Sequence, residues 1–144
     1  MIKFIHSYWA YVVLIVVTLA TFNAIFKYLT KKEFSPKDFR ISLFALIVTH
    51  IQFLIGILLY LTNGYFSMVS EVGGMGEVMK NAALRNIIVE HPTTMVAAIA
   101  LLTVGYSKHK RKLTSVPKFK ILAIFYTLAY ILILVKLPWS NWLA

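Results

Sequence analysis

"RISLFALIVTHIQFLIGILLYL", residues 40–61, decides the fold. After Arg40 it contains no Asp, Glu, Lys or Arg over 21 residues. About 20 apolar residues in a helix cross a bilayer core about 30 Å thick. A barrel strand would alternate apolar and polar over about ten residues, and this run does not alternate. It reads as a membrane-spanning helix. Within it, Ser42, Ala45, Thr49, Gln52 and Gly56 fall on one face at helical spacing. Small and polar residues on one stripe mark where membrane helices meet. His50 sits about 100° from Thr49, at the edge of the stripe, and is expected to turn toward a neighbouring helix.

Three more runs of this kind follow from the same reading, giving spans at about 4–26, 41–61, 86–106 and 119–135. Pro92 blurs the start of the third, because proline suits a first helical turn and restricts the residue before it. The composition agrees. The 144 residues are 60% hydrophobic and 14% charged, with mean hydropathy +0.77, against about 25% charged in an ordinary soluble domain. The first run is longer than a signal h-region and no small-residue cleavage site follows it, so it is expected to be retained. The expectation is a single all-α domain, residues 1–144, folded as an integral membrane four-helix bundle.

The charges assign the sides. The net charge is +10. Eleven of the 15 basic residues flank two short connections: Lys27, Lys31, Lys32, Lys37 and Arg40 in one, Lys108, Lys110, Arg111, Lys112, Lys118 and Lys120 in the other. By the positive-inside rule both loops are cytoplasmic and both termini lie outside. The basic clusters therefore read as a topology signal, compatible with anionic lipid, and not as a nucleic-acid surface. Tyr8 and Trp9 at one outer end, with Trp139 and Trp142 at another, read as interfacial anchors. The outer loop, 62–85, reads as a flexible turn through "NGYFSMVSEVGGMGE", then a short interfacial helix over "EVMKNAALRNII". His109, in "KHKRK", reads as solvated.

Three histidines remain inside the apolar runs. His6 shares a stripe with Ala10, Val13, Val17, Ala20 and Ala24; His91 shares one with Met95, Ala98, Leu102 and Gly105. Both are expected to point into the bundle near its outer face. His50 lies about 13 Å from the inner end of its span, near the midplane. Ionisable groups in spans are costly and are functional candidates by default. Imidazole is an axial ligand of haem iron, and bundle cores hold cofactors. By depth the best pair is His6 with His91; His50 with His91 is the alternative if the third span is kinked at Pro92. Arg85 near a propionate, Gln52 on a histidine and Glu90 beside them are the expected supporting residues. A three-histidine zinc site asks His50 to rise to the level of the other two, and its depth argues against that. There is no cysteine, and no metalloprotease helix, serine elbow or P-loop, so no catalytic activity of its own is expected.

The segments "HSYWAYVVL", "RISLFALIVTHIQFLIGILLY", "ALRNIIVEHP" and "SKHKRK…KFKILAIFY" together resemble a short bacterial family labelled cytochrome b-like, over nearly the whole chain. "THIQFLIG" followed by a later "EH" is similar to one four-helix half of haem A synthase, whose bundles hold b-type haem between histidines. The resemblance implies haem b on His50 and His91 alongside His6, a bacterial inner membrane, and electron transfer beside a quinone or respiratory complex. The synthase's acid-bearing catalytic pattern is absent, and its activity is not carried over. The competing expectation is a non-catalytic subunit or assembly factor whose faces pack against partner helices.

Overall fold

The computed structural model describes residues 1–137 and 139. Every regular element among them is helical. The order is α1 (Ile2–Leu29), α2 (Pro36–Thr62), α3 (Tyr65–Glu71), α4 (Met75–Lys80), α5 (Ala82–Arg85), a π-helical turn (Asn86–Glu90), α6 (His91–Lys110) and α7 (Ser115–Lys136). Four stretches are long and apolar enough to cross a membrane: 2–29, 36–62, 82–110 and 115–136. Each overruns its expected boundaries by one to five residues at most ends. Hydropathy marks the lipid-crossing length, whereas a helix runs on to its cap.

The four long helices form an up-and-down bundle. In order round it stand α1, α2, α6 and α7, so α1 faces α6 across one diagonal and α2 faces α7 across the other. Their outward faces stay apolar: Ile15, Leu19, Leu54, Leu58 and Ile131 are each at least half exposed. A water-soluble monomer does not leave such a continuous apolar jacket bare. Lipid is the solvent that suits it.

The core follows the stripes. Val13, Val17, Ala20 and Ala24 of α1, Ser42, Ala45 and Thr49 of α2, Ala98, Leu102 and Gly105 of α6 and Leu122, Tyr126 and Ala129 of α7 are buried. Close approach needs the small residues. A Cβ added at Gly105 would fall on the Phe125 side chain, so α6 and α7 meet with glycine against ring.

Burial is uneven along the axis. One end carries the two basic connections and is tightly closed. Ser35 and Asp38 form a capping box, with Pro36 in the first turn of α2. Asp38 is fully buried and also accepts from Asn23 at 3.0 Å and Lys27 at 2.5 Å. The backbone N–H of Phe34 donates to Ser115 Oγ at 2.7 Å, tying the two loops together. His109, expected in solvent, is fully buried here. Its ring lies among Phe34, Phe39 and Tyr106, because α6 continues to Lys110 and carries the buried face one turn further. At the opposite end His6, Gln52, Gly56 and His91 are only half-buried, and the bundle opens.

The loop over residues 62–85 is more ordered than expected. The "flexible" half contains α3, and the expected single helix is split at Asn81, whose side chain caps α5 through Leu84 N–H. Gly73 and Gly74, at φ +101° and +105°, supply the turn between α3 and α4 that residues with a Cβ resist. Trp9 is no simple anchor. Its indole donates to the Val48 carbonyl at 2.8 Å, into the bundle. Tyr8 and Trp139 are exposed; Trp142 lies outside the described residues.

Candidate functional site

Proline shapes the site first. In an α-helix Pro92 would owe an N–H to the carbonyl of Ile88 and has none to give. The chain answers with the π-helical turn 86–90 directly before α6. Tyr60, from α2, donates its hydroxyl to the Ile88 carbonyl at 2.9 Å. Turns of this kind gather at functional sites. Here the turn sets the rotation at which His91 enters the bundle.

His91 faces His6 across the α1–α6 diagonal, with ring centres 6.4 Å apart and planes at 80°. The Nδ1 atom of His91 lies 3.0 Å from the carbonyl of Lys136, the last residue of α7. A carbonyl only accepts, so Nδ1 carries a proton, and in the neutral ring Nε2 then keeps its lone pair. That carbonyl belongs to the last turn of α7, whose carbonyls have no partner within the helix. On the other side, Gln52 of α2 donates its amide to the His6 backbone carbonyl at 2.8 Å. Gln52 therefore does bond a histidine, through the main chain and not the ring. Nδ1 of His6 and Oε1 of Gln52 are both buried without a hydrogen-bond partner. Gly56 lies under the His6 ring, where a Cβ would come within 3.3 Å of Cε1.

A charged cluster borders the pair. Glu90 accepts from Arg85 Nε at 2.5 Å through one oxygen and from Lys136 Nζ at 2.6 Å through the other. Arg85 also donates to the Met79 carbonyl at 2.8 Å. Arg85, Glu90 and Lys136 thus form one ion-paired cluster at the start of α6.

His50 is elsewhere. It is exposed, with Nδ1 on its own Leu46 carbonyl at 2.8 Å. It stands two residues, about 200° of helical rotation, from Gln52. The structure brings His6 and His91 together and turns His50 to the outer face. Depth alone placed it near the midplane; rotation decides which side it meets.

The donor set limits what can bind. Two imidazoles sharing one metal, each nitrogen about 2 Å from it, have ring centres about 5–6 Å apart depending on the angle at the metal, and the spacing found lies just beyond the upper end. No group of three or more His, Cys, Asp or Glu that could hold a metal ion occurs among the described residues. A metal held by His6 and His91 would need its remaining ligands from outside the chain, from water or from a cofactor such as a haem macrocycle. The half-open end and the His6 Nδ1 without a hydrogen-bond partner fit such a group. Sequence reasoning did not single out Tyr60, Lys136 or Gly56 for this site; Gly56 was already on the α2 stripe, whereas Tyr60 and Lys136 act through tertiary contacts. Compared with known protein families, curated proteins and solved structures, the chain matches none.

Proposed function

We propose that this chain is a small multi-pass protein of a bacterial inner membrane that holds a b-type haem between His6 and His91. Its basic connections face the cytoplasm and its termini lie outside. The haem, when bound, supplies a one-electron couple; a quinone or a respiratory complex is the exchange partner. The chain itself catalyses no bond chemistry. The observation that carries this reading is the pair of facing imidazoles on diagonal helices at the open end of the bundle.

The protein's own residues have defined tasks in this reading. The Lys136 carbonyl fixes the His91 tautomer and raises the basicity of its free nitrogen. Gly56 lets the His6 ring lie directly against α2. Arg85 and Lys136, partly neutralised by Glu90, put net positive charge beside the pair, where an acidic substituent of the cofactor would be held. The test is an optical spectrum of the detergent-purified protein, oxidised and then dithionite-reduced. A sharp reduced α-band at about one haem per chain is the expected result. A colourless protein, still colourless after growth with haem precursor, overturns the reading and leaves a subunit that packs against partner helices.

A further inference from the structure

We propose that the groove between α1 and α7 at the basic end binds an anionic phospholipid, its phosphate on Lys112 and Lys120 and an acyl chain along α7. Two hollows, of about 510 and 450 Å³, share Tyr28 and Lys120 and so form one groove. The upper hollow is bordered by Lys112 and Pro117. The lower is walled by Ile124 and Leu128. Lys120, Ile124 and Leu128 follow one another at a spacing of four, on one face of α7. That face runs about 12 Å from charge to hydrocarbon.

The chemistry changes along the groove as it does along a lipid. At the head end stand two ammonium groups and the Tyr28 phenol. No ion pair or hydrogen bond engages any of the three side chains among the described residues. The nearby Lys27 is different: Asp38 neutralises it. Two unpaired cations and a phenol donor match a phosphate carrying net negative charge, and a zwitterionic headgroup would bring a competing cation to the same place. At the tail end Ala123, Ile124 and Leu128 make the wall apolar, with Thr127 its one polar side chain, and it opens sideways, so an acyl chain enters it without leaving the bilayer. A free inorganic anion would use only the upper half. Basic pockets between membrane helices at the headgroup level are a recognised form of lipid site. The inference requires the helices to cross a membrane; it does not depend on haem.

The test is native mass spectrometry of the full chain released from nanodiscs containing phosphatidylglycerol or phosphatidylcholine of identical acyl chains. Each lysine near the surface contributes about fivefold, so the two together give about a 25-fold preference for phosphatidylglycerol. The K112Q/K120Q variant should lose that preference. K32Q/K37Q, which removes equal charge from the other basic connection, should keep it. Both pairs are exposed and their replacement leaves the core intact. Equal retention of the two lipids overturns the proposal, and so does a loss as large in K32Q/K37Q as in K112Q/K120Q. Complete displacement of phosphatidylglycerol by millimolar inorganic phosphate would assign the site to a free anion and overturn it too.

Discussion

The imidazole of His91 is held by the main chain of Lys136, 3.0 Å from Nδ1 to the carbonyl oxygen. The bond pins a ring on α6 to the end of α7, with its centre 6.4 Å from that of His6. Because the acceptor is backbone, no side-chain change at position 136 removes it. His6→Ala and His91→Ala should each abolish the reduced α-band. His50→Ala should leave it, since that ring is exposed and bonded to its own helix. Lys136→Gln should also keep the band, while breaking the ion pair to Glu90. Spectra of the four variants, normalised to protein, check this. A band lost in His50→Ala but retained in His6→Ala would assign the cofactor to another pair.

Orientation is testable because the chain has no cysteine. Glu33→Cys, Leu113→Cys and Glu71→Cys place single thiols in the three connections. Leu113 is 96% exposed. With basic connections inside, a membrane-impermeant maleimide added to intact cells should label only the Glu71→Cys protein, and permeabilisation should expose the other two. The reverse pattern would invert the topology.

Much of this architecture is written in the sequence, and the limits are physical. The four crossings follow from run length, and the small-residue stripes predict the buried faces of α1, α2 and α6. The solvated reading of His109 fails because the buried faces run on past the point where charge begins. Continuing His91, Met95, Ala98, Leu102 and Gly105 by one step reaches His109, and continuing Ser42 back by one step reaches Asp38. Both are fully buried. The helix outlasts the apolar run, so its inner face does as well. Ser35, Pro36 and Asp38 even form a legible helix start. The π-helical turn is less legible, because its stability involves Tyr60, 28 residues away along the chain. His50 shows the remaining limit, since at the edge of a stripe a small rotation separates a core position from a lipid-facing one.

Asp38 closes the basic end, and its loss should be costly. Its side chain is fully buried and bonds Lys27, Asn23 and Ser35. Breaking one side of a buried pair costs about 3–5 kcal/mol, and a lost cap adds about 1 kcal/mol. Lys27 keeps 22% of its side chain exposed, which lets water take back part of its charge. Asp38→Ala should therefore destabilise the protein by about 3 kcal/mol, read by denaturant unfolding in detergent. Asp38→Asn should cost less, as the single amide oxygen can still accept from Ser35, although it then no longer accepts from Asn23.

Two glycines should respond oppositely to the same methyl group. At Gly105 the added carbon meets Phe125 and must push α6 from α7; overpacking of this kind costs about 1–3 kcal/mol. At Gly76, inside α4, nothing lies within 4 Å and the backbone is helical. There alanine should stabilise by about 0.5–1 kcal/mol, because glycine loses more freedom on folding. Gly105→Ala should lower the melting temperature and Gly76→Ala should leave it equal or raise it. A destabilised Gly76→Ala protein would mean that α4 is not helical in the membrane.

The bond from Tyr60 to Ile88 should be worth most when Pro92 is present. Ile88 is buried, and its carbonyl has no proline N–H to accept from. Tyr60→Phe removes the donor and leaves that oxygen unpaired, at about 1–3 kcal/mol. Pro92→Ala returns an N–H four residues on and lets a regular α-helix form through the turn. In the Pro92→Ala background, Tyr60→Phe should then cost at least about 0.5 kcal/mol less, a coupling that a double-mutant cycle resolves. The same relaxation would rotate His91 relative to α6 and α7, so Pro92→Ala should also weaken any haem band that depends on it. If the two changes add without coupling and the band is unaltered, Tyr60 does not support the turn and the rotation of His91 is set elsewhere.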